Sequence, residues 1–277
     1  MPRGVPPEQN HVSMDAASPL PLSPEMTRGV PTVGEIWRRP LPHLAGKATT
    51  RLVCRTVLTL FHRQVLGFQG LEHISPDQDP FILALNHSQR PEAVLVPAWL
   101  CFHRGGRMVH FLADWNFQLV PGLAWLIRLH DPILVVRKDA RPRFLNRFKD
   151  RYRHLPPPFT EARRRLAEGR SIGLFPEGTV NRHPELLLRG QTGAARLAQE
   201  AGVPVIPGGI RFPRHRDGHP VADREPFSVR FGAPIRPGAT DPDAAEFHIR
   251  IMATLSTLSG KQWQPDARRT KYAFCKT

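Results

Sequence analysis

Apolar segments of two kinds alternate along most of this chain, and their order restricts the fold more than any other feature. Short runs typical of buried strands, such as 81–87 and 132–137, are separated by segments with helical periodicity, such as 160–169 and 193–203. Strands that alternate with helices form a largely parallel sheet, because each parallel connection needs a crossover. The sequence therefore predicts an α/β fold, with a largely parallel central sheet flanked by helices.

The two ends of the chain differ in composition from this alternating region. Residues 1–43 hold nine prolines and no apolar run of the length of a signal peptide, which predicts a disordered tail. Residues 44–67 carry apolar side chains at helical spacing with Arg and His between them, which predicts an amphipathic helix lying either on the core or in a membrane interface. We therefore predict one domain over 44–260 that includes this helix, no transmembrane span, and a basic tail over 261–277.

The formal charge of +15 favours anionic partners, such as acidic lipid headgroups, coenzyme A phosphates, an acidic carrier protein or nucleic acid. The most basic stretch, 137–170, holds 12 Lys and Arg against four acidic residues. A solvated charged face explains this basic stretch nearly as well as binding to an anionic partner does. It has few interleaved aromatic residues and no nucleic-acid-binding motif, so no nucleic acid is expected. The three cysteines lie far apart, which favours a reducing compartment.

The strand predicted at 81–87 ends in His87, and Glu92 follows at the start of the next predicted helix. Ligands of α/β sheets bind beyond the carboxyl ends of the strands. A carboxylate in the first helical turn can bind one imidazole nitrogen and leave the other free to accept a proton. The spacing permits a general base, although most pairs of this kind are structural or merely solvated. A substrate hydroxyl would then be the nucleophile.

Two further predicted strand ends carry residues suited to an anionic ligand. The segment SIGLFPEGT (171–179) ends in Glu177, Gly178 and Thr179, where a glycine allows close backbone approach and N–H groups can bind phosphate. Arg137 ends the strand at 132–137. The histidines show no spacing typical of metal ligands, so no metal site is predicted.

These segments together resemble the 1-acylglycerol-3-phosphate acyltransferase family. NHSQRPE (86–92) is similar to the family block of a His, four residues and an Asp, and FPEGT (175–179) is identical to its phosphate-binding block. PILVVRK (132–138) and VPVIPGG (203–209) resemble two further blocks, in the family order. The resemblance covers about residues 50–258.

The resemblance implies an acyltransferase that moves a fatty acyl group from acyl-CoA or acyl carrier protein to the hydroxyl of a lysophospholipid, without a further cofactor. It implies a peripheral protein on the cytoplasmic face of a membrane with anionic lipids, bound through an N-terminal helical element. His87 would be the general base and Glu92 its orienting acid. The acceptor's phosphate or polar head would contact Arg137, Glu177, Gly178, Thr179 and Arg182.

The sequence departs from the family pattern at two positions. Glu92 stands where the family has Asp, and we expect Glu92→Asp to keep activity. Val180 follows FPEGT where the family often has Arg, and the arginine comes two residues later, as Arg182. The displaced arginine raises the alternative of a lyso-aminolipid O-acyltransferase. The two departures together raise that of a lipid-binding protein without enzymatic activity, and the basic charge raises that of a nucleic-acid-binding protein.

Overall fold

The structure, a computed structural model, describes residues 29–120, 130–136, 139–140, 142–216, 218–238 and 243–268. Its helices are α1 (Val33–Arg38), α2 (Ala48–Leu60), α3 (Glu92–His103), α4 (Pro158–Ala167), α5 (Gly193–Ala201) and α6 (Ala244–Ser259). Its strands are β1 (Val65–Gln69), β2 (Ile82–Leu85), β3 (Val109–Asp114), β4 (Ile133–Val135), β5 (Ser171–Leu174), β6 (Val205–Arg211) and β7 (Phe227–Phe231). A 3₁₀ helix, Arg143–Tyr152, lies between β4 and α4.

The seven strands form one sheet in the order β1-β7-β6-β2-β5-β3-β4. Strands β6, β2, β5, β3 and β4 pair in parallel, whereas β7 is antiparallel to β6 and parallel to β1. The predicted α/β fold with a largely parallel sheet is therefore confirmed. Because β2 and β5 are parallel neighbours, the loops that follow them leave the same edge of the sheet.

Within the described residues, three helices cover each face of the sheet. In β2, Leu83 and Leu85 pack with residues of α1, α2 and α3 in one apolar cluster. The alternate residues, Ile82 and Ala84, pack with residues of α4, α5 and α6 in a second cluster. Successive side chains of a strand point to opposite faces, so a strand covered on both sides is apolar throughout. This burial explains the uninterrupted apolar run from Phe81 to Leu85.

The predicted disordered tail over 1–43 is wrong at its C-terminal end. Thr32 caps α1 in a reciprocal capping box with Glu35, and Ile36 of this helix is fully buried. The burial of Ile36 anchors this turn to the core. Residues 1–28 lie outside the described part of the chain.

The helix predicted over 44–67 is shorter than expected. It corresponds to α2, which ends at Leu60, and a 3₁₀ turn then leads into β1 from Val65. Strand β1 lies at the edge of the sheet beside β7. None of the helices within the described residues is both long enough and apolar enough to span a membrane.

The predicted basic tail over 261–277 begins inside the domain. Lys261 is only 3% exposed. The Leu187 N–H donates to the Gln262 carbonyl at 2.9 Å, and the Arg189 N–H donates to the Arg268 carbonyl at 3.0 Å. Main-chain pairing therefore holds 261–268 against the domain, and 269–277 lie outside the described residues.

Candidate active site

His87 and Glu92 are in contact at the carboxyl edge of the sheet. His87 lies just beyond β2, and Glu92 is the first residue of α3, which follows the N-cap Pro91. His87 Nδ1 lies 2.8 Å from Glu92 Oε2, and the Ser88 N–H donates to the same oxygen at 2.9 Å. Glu92 is fully buried, and His87 is 9% exposed. The structure therefore brings the two predicted residues together.

The surroundings of His87 determine its orientation. A carboxylate only accepts hydrogen bonds, so Nδ1 carries the proton and Nε2 is the basic nitrogen. The Phe175 ring stacks on the imidazole with centroids 4.2 Å apart. The His87 N–H donates to Glu177 Oε1 at 3.1 Å, and its carbonyl accepts from the Asn181 N–H at 2.7 Å. Ring and main chain are thus both held before any substrate binds.

Glu177 contacts the protein rather than the space beside His87. Its Oε1 accepts from the His87 N–H, and its Oε2 accepts from Asn181 Nδ2 at 2.7 Å and from the Leu188 N–H at 2.9 Å. Burial raises the pKa of Glu177, and these donors and the Lys261 ammonium oppose that rise. The expected contact of Glu177 with the acceptor headgroup is therefore replaced by a role in holding two loops together.

Gly178 and Thr179 border the cavity in which His87 lies. Gly178 has φ +65°, and a Cβ at this position would lie 2.7 Å from Gln191 Nε2. Both the backbone conformation and the close side chain require glycine here. The turn thereby places Thr179 on the cavity wall, and its contact with the acceptor stays a prediction.

The cavity beside His87 has a volume of about 1040 Å³. It extends between the ends of β2, β5, β3 and β4, where open α/β sheets bind ligands. Its walls are mostly apolar, so it is suited to a long hydrocarbon chain. Among the described residues, no group of three or more His, Cys, Asp or Glu side chains could hold a metal ion. Apolar residues of the wall include Val94, Pro97, Phe111, Leu134, Val135 and Leu174.

A family model described as Acyltransferase matches residues 66–211, which is more than half of the 277-residue chain. The chain belongs to this acyltransferase family. The predicted family of acyltransferases and the predicted enzyme class are thus confirmed. No curated protein sequence is significantly similar to the chain.

The fold of this acyltransferase is similar to a solved structure, the 1-acyl-sn-glycerophosphate (LPA) acyltransferase PlsC from Thermotoga maritima. The TM-score is 0.53 at 18% sequence identity, and the match covers 80% of this chain and 83% of that chain. At this identity, the likeness concerns the fold alone.

Of the two arginines expected at the acceptor site of the acyltransferase, the structure describes only Arg182. The Arg182 guanidinium donates to the Val221 carbonyl at 2.5 Å and pairs with Asp223 Oδ1 at 2.5 Å, which directs it into a neighbouring loop. Val180, the residue directly after FPEGT, borders the cavity instead. Arg137 lies outside the described residues, so its role stays a prediction.

Four residues of the site were missed by the sequence analysis. Arg90 borders the cavity, and Phe175 stacks on His87. Both lie inside the motifs NHSQRPE and FPEGT, and only their place in these motifs could have signalled a role. Asn181 lies two residues beyond FPEGT and binds Glu177. Lys261 donates to Ser88 Oγ from a segment far along the chain, and no local pattern signals that contact.

Proposed function

We propose that this acyltransferase moves a fatty acyl group from a thioester donor to the hydroxyl of a lysophospholipid, with 1-acylglycerol-3-phosphate as the first candidate acceptor. The observation that carries the proposal is the His87–Glu92 pair, whose imidazole borders an apolar cavity of about 1040 Å³. The family match supports acyl transfer. The apolar walls support a substrate with a hydrocarbon chain, and the pair supports an oxygen nucleophile that needs a base.

The chemistry follows from the tautomer of His87. Its Nε2 takes the proton of the acceptor hydroxyl as the oxygen attacks the thioester carbonyl. The new ester C–O bond forms, the C–S bond breaks, and the thiolate recovers the proton from the imidazolium. Glu92 stabilises the imidazolium that forms between the two steps. Acyl-CoA or acyl carrier protein is the co-substrate, and the reaction as written needs no further cofactor.

The cations around the cavity bear on the headgroup of the acceptor. Arg90 borders the cavity beside His87 and is a candidate for binding a phosphate, together with Arg137. Arg182 pairs with Asp223, and Val180 occupies the cavity wall after FPEGT. Both features weaken the binding of a phosphate that the family motif implies. These contacts favour a lyso-aminolipid as the second candidate acceptor.

A membrane surface would supply such lipids, and the N-terminal helices suit contact with one. Large apolar side chains are exposed on α1 and α2, which also carry Arg51 and Arg55. Exposed apolar residues with nearby arginines are typical of interfacial helices on anionic membranes. We therefore propose peripheral binding at the cytoplasmic face. The exposed residues are Val33 (42%), Trp37 (41%), Leu52 (54%), Leu60 (73%) and Phe61 (43%).

The 3₁₀ helix Arg143–Tyr152 is a second candidate contact for anionic groups. Arg147 lies over the Phe144 and Phe148 rings at 5.8 and 4.7 Å. Phe144 is 61% exposed, and Tyr152 borders the cavity. We propose that this segment binds phosphates of the donor or of lipids beside the cavity entrance.

The test is acyl transfer by the purified full chain, with labelled acyl-CoA or acyl carrier protein offered to a panel of lysophospholipids and lyso-aminolipids. We expect transfer to at least one acceptor, and a loss of about 10²- to 10⁴-fold in His87→Ala. His219→Ala, which changes an exposed histidine, is the matched control. Equal activity of His87→Ala and wild type, or lipid binding without transfer, would refute the proposal.

A further inference from the structure

Lys261 follows directly on the C-terminus of α6, and its side chain is buried. Gly260, with φ +72°, ends the helix and turns the chain back toward the sheet. Lys261 is 3% exposed, and its Nζ donates to Ser88 Oγ at 2.6 Å and to the His183 carbonyl at 2.7 Å. A buried ammonium costs free energy unless it is paired and hydrogen-bonded, so this placement needs an explanation.

The two acceptors of the ammonium belong to the two loops that hold His87. Ser88 follows His87 directly, and its N–H donates to Glu92 Oε2 at 2.9 Å. His183 lies in the loop beyond FPEGT, in which Asn181 donates both to the His87 carbonyl and to Glu177. One side chain therefore joins the loops that leave β2 and β5.

The charges around Lys261 are mainly negative. The carboxylates attract the ammonium, while burial lowers the pKa of Lys261. Because Glu92 and Glu177 are buried, each would be a costly isolated charge without a nearby cation. The titratable groups that face the ammonium are Glu92 from α3, Glu177 and His183 from the loop after β5, and Glu225 from the segment before β7.

We propose that Lys261 is a positioning residue for acyl transfer. Its ammonium holds Ser88 and balances the charge of the buried carboxylates, so that Glu92 keeps the His87 imidazole in one orientation. The inference rests on the proposed function, although its first test does not require turnover.

The first test is the Nδ1–H signal of His87 in NMR spectra of the full chain with ¹⁵N-labelled histidine, assigned with His87→Ala. Lys261→Met removes the charge at similar length, and Lys47→Met changes an exposed lysine as the matched control. We expect the signal to move or to broaden through exchange with water in Lys261→Met and to stay unchanged in Lys47→Met. An unchanged signal in folded Lys261→Met overturns the inference, whether or not the wild type transfers acyl groups.

The second test is the steady-state kinetics of the same variants with the acceptor that the wild type uses. A displacement of His87 near 1 Å predicts a 10- to 100-fold lower kcat for Lys261→Met, with KM within about threefold. If KM rises and kcat is unchanged, Lys261 binds substrate and the inference fails. A wild type that is inactive with every acceptor refutes the proposed function and leaves the NMR result to decide on Lys261.

The pH profile separates positioning from a loss of packing. Glu177 accepts from the His87 N–H, and the attraction of the Lys261 ammonium lowers the pKa of Glu177. Arg189 and His248 border a second, smaller pocket that Glu177 also lines. Without the ammonium, Glu177 takes up a proton at higher pH. We expect the acidic limb of kcat to move to higher pH in Lys261→Met. An acidic limb at the wild-type position contradicts the inference.

Two milder variants keep the inference testable if Lys261→Met does not fold. Ser88→Ala removes one acceptor of the ammonium, and Lys261→Arg keeps the charge. We expect Ser88→Ala to lower kcat about 3- to 10-fold, which corresponds to one hydrogen bond, and Lys261→Arg to retain more activity than Lys261→Met. Wild-type kcat together with a wild-type His87 signal in Ser88→Ala overturns the inference.

Discussion

Glu177→Gln tests whether the FPEGT carboxylate organises the loops or binds substrate. In the structure, its two oxygens accept from the His87 N–H, the Leu188 N–H and Asn181 Nδ2. Glutamine keeps one acceptor oxygen, but its amide nitrogen then faces at least one of these donors. The substitution changes no volume, so its effect reports on hydrogen bonding and charge.

The magnitude follows from the number of donors that lose their acceptor. One or two of the three are left unpaired in the interior, and each costs about 1–3 kcal/mol. The neutral glutamine offsets part of this loss of stability, because burial disfavours the ionised form of Glu177. We therefore expect the free energy of unfolding to fall by about 2–4 kcal/mol. A shift of the His87 main chain near 1 Å would lower kcat about 100-fold.

The assay combines urea unfolding with the kinetics of acyl transfer. Glu185→Gln is the matched control, because Glu185 is exposed and lies in the same loop. We expect Glu177→Gln to lower both stability and kcat, with KM for the acceptor nearly unchanged. If Glu177→Gln unfolds like the wild type and raises that KM tenfold or more, the carboxylate binds the acceptor and the structural reasoning is refuted.

Three further predictions concern single side chains. Glu92→Asp shortens the side chain by about 1.5 Å, which breaks the 2.8 Å contact with His87 Nδ1. Contrary to the expectation from sequence, kcat should therefore fall about 10- to 100-fold. A wild-type kcat in Glu92→Asp would contradict this prediction. Burial lowers the pKa of His130 to about 4, below its ordinary 6.5. Only the unfolded chain takes up this proton between those pH values, so the free energy of unfolding should fall by about 3 kcal/mol from pH 6.5 to 4. His130→Phe should flatten this part of the urea-unfolding profile, and a slope equal to that of the wild type would count against it. Leu60→Asp should weaken flotation with anionic vesicles about tenfold or more, through the loss of about 1.5–3 kcal/mol of apolar burial; undiminished flotation would exclude α2 as the contact.

The sequence predicted those parts of the fold and site that depend on local pattern. Apolar runs mark β2 and β5 because both faces of these strands are covered. A polar residue in the middle of either strand would interrupt its apolar run. The structure pairs these two strands in parallel, which brings His87 beside FPEGT. The His87–Glu92 contact is equally local, since α3 begins at Glu92 and the loop between is short.

The parts that sequence reasoning missed depend on contacts between distant segments. Arg182 was assigned to the acceptor because it lies near FPEGT, but Asp223, which holds it, lies 41 residues further along the chain. Lys261 was assigned to a tail because the segment has no periodicity, and its partner Ser88 is 173 residues away. Charge alone does not tell a solvated cation from a buried one, because burial is decided by what packs around it.

In the proposed mechanism, the buried charges of this site serve orientation rather than stability. Replacing a buried ion pair by apolar residues is often neutral or stabilising, so Glu92, Glu177 and Lys261 are poor devices for holding a fold together. Each carboxylate instead accepts a main-chain N–H beside the base, from Ser88 in one case and from His87 in the other. A hydrogen bond to the main chain specifies a loop conformation more narrowly than apolar packing does. Under the proposed function, the free energy lost in burying these charges therefore keeps the imidazole in one orientation, in which Nε2 can take a proton from the acceptor.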